Sequence, residues 1–338
     1  MSHKFNYNWN LKNGYPKTNG LKVFGTFVCG GGSTMGYKLA GFEHIGGVEI
    51  DPPIADVYKT NHNPKYLYIE DIRDFANRTE YPEDLYNLDI LDGSPPCSSF
   101  SMSGNREKDW GKEKKFREGQ TVQVLDNLFF DYIKLAKKLQ PKVIIAENVK
   151  GLISGNAKTY VHKINNALKD AGYTVQLFLL NSGTMGVPQK RERVFFICHR
   201  KDLNLPKLKL NFNEKPILFS EIDDGDTGYE NKMTDHEKHY WEMTKPGDAL
   251  SSVHPKGHYF GFRKVSPTKI ANTIISGSKN MHFKYCRRLN NKELIKIGSF
   301  PLDYNFKKIK VQYLIGMSVP PIMTAQIANQ IYLQWFKK

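Results

Sequence analysis

Between Leu21 and Cys198, short apolar runs alternate with amphipathic stretches, and several runs end beside glycine, carboxyl or thiol residues. Leu21–Phe27 reads as a strand. The turn Cys29-Gly30-Gly31-Gly32 follows, then a helix over Ser33–Ala40 that Gly41 stops. Ile45–Ile50 is a second strand with Glu49 at its end, and Pro53–Asn61 is a helix with proline in its first turn. Leu88–Leu91 runs into Asp92-Gly93-Ser94-Pro95-Pro96-Cys97. Val122, Leu125, Leu128, Phe129, Ile133, Ala136 and Leu139 recur at helical spacing, which predicts a helix over Thr121–Gln140. Val143–Ala146 is a strand ending in Glu147-Asn148, Val161–Ala171 a helix, and Thr174–Leu180 and Val194–Cys198 are further strands. Strand and helix in alternation predict a parallel, doubly wound α/β sheet.

The rhythm stops near His199. From Arg200 to Lys310 the chain is irregular and rich in Lys, Gly, Pro, Tyr and His, which reads as a second domain, and a last helix is expected over Thr324–Phe336. Residues 1–20 read as a flexible leader, without the apolar core of a secretory signal. The net charge of +15 fits a polyanionic partner. The four cysteines are scattered without a Cys-x-x-Cys pair, so neither a disulfide framework nor a zinc site is expected, and a cytoplasmic location is the default. No run approaches the ~18 apolar residues of a membrane span.

Closely spaced glycines between a strand and a helix let a backbone approach a cofactor, and Glu49 at the next strand end can accept from both hydroxyls of a ribose. This pattern leaves NAD, FAD and S-adenosylmethionine open, together with a plain tight turn. Asp71, at a further strand end, can accept from an adenine amino group or simply sit in a solvated loop. Pro95-Pro96-Cys97 is sharper. Two prolines fix the backbone beside a thiol at a strand end, where open α/β sheets place ligands. A thiolate that adds at C6 of cytosine turns the inert C5 into a nucleophile. Glu147 can engage N3 of such a ring, and the run Gln189-Lys190-Arg191-Glu192-Arg193 can hold its O2 or flanking phosphates, although alone it would read as a solvated edge.

Taken in order, these motifs resemble those of the DNA (cytosine-5) methyltransferase family of the prokaryotic and phage restriction-modification type, over essentially the whole chain after Lys22. Phe27–Gly32 with Gly36 and Ala40-Gly41-Phe42 is similar to its cofactor motif, with Cys29 where the first glycine is usual. Pro96-Cys97 is similar to its nucleophile motif, Glu147-Asn148-Val149 to its acidic motif, and Gln189 to Arg193 to its Gln-x-Arg-x-Arg motif. Arg287–Pro301 resembles the motif that orders the small domain, and Gly316–Pro321 the last motif, with Met317 where Asn is usual.

The resemblance implies a Rossmann-like S-adenosylmethionine-dependent methyltransferase domain plus a smaller, irregular target-recognition domain. The expected division is a leader over 1–20, a catalytic domain over 21–200, a recognition domain with its hinge over 201–305, and a returning C-terminal segment over 306–338. It further implies that Phe27, Gly30, Gly31, Gly32, Glu49, Ile50, Asp71, Ile72, Pro96, Leu128, Ser318 and Val319 bind S-adenosylmethionine, with S-adenosylhomocysteine as product. Cys97, Glu147, Arg193, Arg191 and Gln189 form the catalytic set. Cys97 would attack a flipped cytosine, and no metal is required.

A loop over Ser98–Gly119, carrying Ser98 and Arg106, would close on double-stranded DNA. Arg263, Lys264, Thr273 and Ile274, with His258, Tyr259 and Lys279, are the expected DNA-reading residues. A monomer near the nucleoid is expected, with a cognate restriction endonuclease left open as functional partner. A tRNA cytosine-5 methyltransferase of the same fold would share the catalytic motifs, but its Cys-Phe-Thr signature is absent from the recognition region. An NAD-dependent oxidoreductase leaves Cys97, Glu147 and Arg193 unexplained. A DNA-binding regulator with a decayed enzyme fold sits badly with three intact catalytic positions.

Overall fold

The computed structural model describes residues 3–96, 127–154, 157–226, 233–259, 261–277 and 279–337. The chain forms two compact units, one built from 16–180, 192–210 and 328–338, the other from 1–15, 181–191 and 211–327.

The first unit is an α/β sheet unit. In chain order it runs through β1 (Lys22–Thr26), α1 (Gly32–Leu39), β2 (Glu43–Val48), α2 (Pro52–His62), β3 (Tyr66–Tyr68), α3 (Ile72–Asn77), α4 (Glu83–Tyr86) and β4 (Ile90–Gly93). It continues with α5 (Leu128–Leu139), β5 (Val143–Val149), α6 (Lys158–Asp170) and β6 (Tyr173–Asn181). After the short β7 (Gln189–Lys190), which belongs to the other unit, β8 (Glu192–Arg200) returns to the sheet. The strand order is β3-β2-β1-β4-β5-β8-β6. Of the helix expected over Thr121–Gln140, Thr121–Asp126 lie outside the described residues.

The central strands pair in parallel, β1 with β2 and β4, β4 with β5, and β2 with β3. One feature departs from the expected all-parallel sheet: β8 runs antiparallel to β5, with Ile145 opposite Ile197. Only residues 182–191 separate β6 from β8, and a parallel crossover needs about a dozen or more. Strands covered on both faces read as continuous apolar runs, which is why Val143-Ile144-Ile145-Ala146 is fully buried. Phe24, Phe75, Tyr132 and Phe196 fill the core around it, each stabilising by roughly 1.5–3 kcal/mol. The Tyr132 hydroxyl donates to the carbonyls of Leu91 and Ile145, so its burial leaves no polar atom orphaned.

The second unit contains α7 (Asp235–Met243), the short strands β9 (Phe262–Lys264), β10 (Ala271–Asn272) and β11 (Lys279–Met281), and helices α8 (Asn291–Ile297) and α9 (Val311–Met317). β10 pairs with β7 and β11 with β9. Its buried anchor is Glu293, which accepts both outer nitrogens of Arg287 and the backbone N–H of Asn290. Asp223 and His282 lie close enough to Glu293 to suggest metal ligands, but Arg287 already neutralises it and His282 is bonded to Asp223. α10 (Pro321–Ile331) ends the fold, followed by a π-helical turn, Tyr332–Phe336. The turn stays in the sheet unit, where the Trp335 indole donates to Pro206 O and Phe42 meets the rings of Tyr332 and Phe336. No helix among the described residues is long and apolar enough to cross a membrane.

Three boundaries differ from the sequence expectation. Residues 3–15 are part of the second unit rather than a free leader. Trp9 is buried and donates to Ser299 O, and the Asp303 carboxylate accepts the N–H groups of Leu11 and Lys12. Residues 181–191 also belong to that unit, and the return to the sheet unit comes at 328 rather than 306. Apolar burial, invisible in a polar segment with one tryptophan, overrides the leader-like composition. Trp9→Ala is therefore expected to destabilise the protein by about 3 kcal/mol, as large aromatic-to-alanine changes in cores do. Denaturant unfolding measures this, and a change within experimental error would show the segment to be an appendage.

Candidate active site and cofactor turn

The turn between β1 and α1 is tight. Phe27 and Cys29 both have positive φ, at 55° and 48°, and Gly31 has φ 77°. Cys29 thus takes the conformation glycine would adopt more easily, which answers the departure noted at this position. A Cβ on Gly31 would lie 2.1 Å from Nε2 of His62. That nitrogen faces Gly30 O at 3.0 Å, and burial pushes the imidazole pKa down to about 3, so the neutral ring donates to the carbonyl. His62 is a site-shaping residue that sequence patterning missed, because it sits at the end of α2 with no motif around it.

Glu49 follows β2. Its carboxylate accepts the backbone N–H groups of Cys29, at 2.9 Å, and Asp51, at 3.0 Å, so it binds the glycine turn to the start of α2. Burial raises its pKa to about 7 against those stabilising donors. Ile72 and Leu128 are buried, while Phe27, Ile50 and Pro96 are half-buried. Asp71 caps α3, accepting from the N–H and the guanidinium of Arg73. Burial alone would raise its pKa, but the bonds to Arg73 leave it lowered.

Glu147 and Arg193 meet across the antiparallel β5–β8 pair, with Glu147 Oε1 3.0 Å from Arg193 Nε and both side chains mostly buried. The next residue, Asn148, donates its amide to Pro95 O at 3.1 Å. The acidic strand end and the Pro95-Pro96 turn are thereby joined. Cys97, Ser98 and Arg106 lie outside the described residues.

The C-5 cytosine-specific DNA methylase model matches residues 21–333. The chain belongs to that family. Among curated relatives, the Type II methyltransferase M.FnuDI of Fusobacterium nucleatum is 29% identical over 92% of this chain and 94% of its own. M.Bsp6I of a Bacillus strain is 28% identical over 92% and 98%. Among solved structures, a prophage-encoded protein of Escherichia coli aligns with a TM-score of 0.72 at 17% identity, over 93% of this chain and 99% of its own. DNMT2 of Spodoptera frugiperda aligns at 0.65 and 18%, over 92% and 99%. These structural likenesses establish the methyltransferase fold, and family membership makes the chain a sequence-specific DNA cytosine-5 methyltransferase that uses S-adenosylmethionine.

Several expected site residues of this methylase turn out to be structural. Arg191 is buried and spends its guanidinium on Ile274 O and Gly316 O. Gln189 is buried, donates to Ile297 O and accepts from Ile274 N. Both belong to the second unit, whereas Glu147 and Arg193 belong to the sheet unit. Ile274 is fully buried, and Thr273 donates to Lys190 O, so this pair secures β10 against β7. Lys264 is buried over the Trp241 ring at 4.0 Å and donates to Trp241 O. Lys279 pairs with Glu237. Arg263 and Tyr259 are half-buried and His258 is exposed. Ser318, whose hydroxyl donates to Leu314 O, and Val319 follow α9 in the second unit.

The folded protein keeps the Glu49 proton up to about pH 7, whereas an unfolded glutamate releases it near 4.5. Folding therefore loses stability as pH rises through that window, by up to ~3 kcal/mol from this group. Glu49→Gln removes this share, so its unfolding free energy should fall less than the wild type's between pH 5 and 8. Equal slopes for the two proteins would show Glu49 to be ionised throughout.

Proposed function

We propose that this methyltransferase forms a covalent link from Cys97 to a flipped cytosine, with Glu147 and Arg193 as the groups that bind the base. The observation that carries this reading is the Glu147–Arg193 pair, whose neighbour Asn148 bonds to the Pro95 carbonyl two residues before Cys97. The pair offers one planar ring a carboxyl for N3 and a guanidinium for O2, and the reading assigns the Cys97 thiolate to C6. The thiolate adds to C6 and opens an enamine, which makes C5 nucleophilic. Glu147 holds the proton at N3, and Arg193 stabilises charge at O2. After C5 is methylated, a base, either water or a side chain, takes up the C5 proton, and elimination breaks the sulfur–C6 bond, releasing Cys97 as thiolate.

The cofactor turn fits S-adenosylmethionine. The Glu49 carboxyl is bonded to the backbone of Cys29, Ile50 and Asp51 and has acceptor capacity left for a ribose hydroxyl. Gly31 presents bare backbone where a Cβ would meet His62. Phe27, Ile50, Ile72 and Leu128 supply apolar surface for the adenine, with Asp71 as acceptor for its amino group, and Pro96, Ser318 and Val319 complete the expected set. The cofactor contributes an electrophilic methyl group. The Type II names of the relatives support a restriction-modification setting. A cognate endonuclease as functional partner and a monomer as the working form complete the reading.

The test is single-base mapping of 5-methylcytosine in mixed-sequence DNA. The wild type should mark one short sequence, Cys97→Ser should mark none, and Arg193→Ala should lose about 10²-fold or more in rate, as the loss of one oxyanion donor does. Full activity in Cys97→Ser would refute the covalent route.

A further inference from the structure

Asp92 is the other buried carboxyl of the sheet unit, and nothing in the mechanism above uses it. It lies on β4 opposite Gly25 of β1 and Ile145 of β5, one residue from the strand's end and four before Pro96. Only 8% of it is exposed. Its Oδ1 accepts from the Tyr37 hydroxyl at 2.9 Å, and the Ser33 hydroxyl also bonds to it. Both partners stand on α1, and Ser33 lies one residue past the Gly30–Gly32 turn.

The groups that face Asp92 are neutral or negative. They are Ser33 and Tyr37 on α1, Tyr58 on α2, Tyr132 on α5 and, in anionic form, Glu147 on β5. No lysine, arginine or histidine acts on it among the described residues. A buried carboxylate of this kind is costly unless a cation complements it. Burial accordingly raises its pKa to about 7, with Glu147 pushing the same way and Tyr37 and Ser33 opposing. Through Ser33 this carboxyl is bonded to the residue that follows the Gly30–Gly32 turn.

We propose that Asp92 recognises the positive sulfonium of the methyl donor, so that the protein separates the charged donor from its neutral thioether product by electrostatics. This rests on the reading of the glycine turn as the cofactor site. When the sulfonium form binds, Asp92 gives up its proton to solvent and remains as carboxylate. When the thioether form binds, the Asp92 proton equilibrium stays as it is in the free protein. Donor binding is thus coupled to proton release and product binding is not, so the preference for donor over product grows as pH rises. Glu49 titrates in the same range, but it meets the ribose common to both molecules and cancels in their ratio.

The test is isothermal titration calorimetry on the full chain without DNA, using S-adenosylmethionine and S-adenosylhomocysteine at pH 6 and pH 8. In the wild type the preference for the donor over the product should rise about tenfold across that interval, the factor for one group that titrates near 7 in the free protein and the product complex and is ionised throughout in the donor complex. Asp92→Asn, which keeps the acceptor for Tyr37 but carries no charge, should hold the ratio constant. Tyr37→Phe removes a donor that favours the carboxylate and should move the rise to higher pH, which decides the matter should Asp92→Asn fail to fold. A wild-type ratio that does not change with pH, or one that Asp92→Asn leaves unchanged, overturns the proposal. Failure of the wild type to bind either molecule overturns the cofactor reading itself, an outcome distinct from binding without discrimination.

Discussion

The register of the parallel strands is the constraint on which the sheet unit depends. Thr26 stands opposite Val48 on one side and Gly93 on the other, and Gly93 stands opposite Ala146. This brings the carboxyl ends of β1, β2, β4 and β5 to one edge, so the glycine turn, Glu49, Asp92 and Glu147 gather there although the sequence spreads them over about a hundred residues. The close approach has its own requirements. A Cβ on Gly46 would fall 1.7 Å from Tyr66 O, and one on Gly93 would meet Thr26 and the Tyr132 ring. A slip of one residue would turn every side chain on a strand to the opposite face.

Most of this was legible in the sequence because parallel strands announce themselves as continuous apolar runs. Each predicted strand is present within a few residues, and Glu147 was placed correctly at the edge of β5, although β5 extends past it to Val149. The antiparallel β8 was not legible, since the direction of a strand leaves no mark on its composition. Only the brevity of the connection 182–191 hinted at it. The second unit was legible as irregular and little more. Its order comes from long-range side-chain bonds such as Arg287–Glu293 and Trp9–Ser299, which local patterning cannot reveal.

Charge is where the site departs from what stability alone would favour. Glu49 and Asp92 are carboxyls buried without a cation beside them, and each is held near neutrality in its pKa by burial. Glu147 has such a partner in Arg193. The contrast divides the site chemically. Glu147 and Arg193 are paired within the fold, while the carboxyls around the glycine turn are held by neutral donors. That arrangement lowers the stability of the free protein above pH 7 and leaves its recovery to binding.

The Gln189-x-Arg191-x-Arg193 run shows why a motif is a poor guide to the role of each of its members. Gln189 and Arg191 are consumed by the carbonyls of Ile297, Ile274 and Gly316, all within the second unit. Arg193, two residues on, lies on β8 of the sheet unit and pairs with Glu147. One short segment therefore cross-links the backbone of one unit and supplies the cation that pairs with Glu147 in the other. A buried guanidinium bonded to two carbonyls is as costly to replace as a catalytic one, because its loss leaves acceptors unsatisfied in the interior. Loss of activity on substitution would look alike at all three positions, and only the partners of each side chain separate the two bonded to backbone carbonyls from the one paired with a carboxylate.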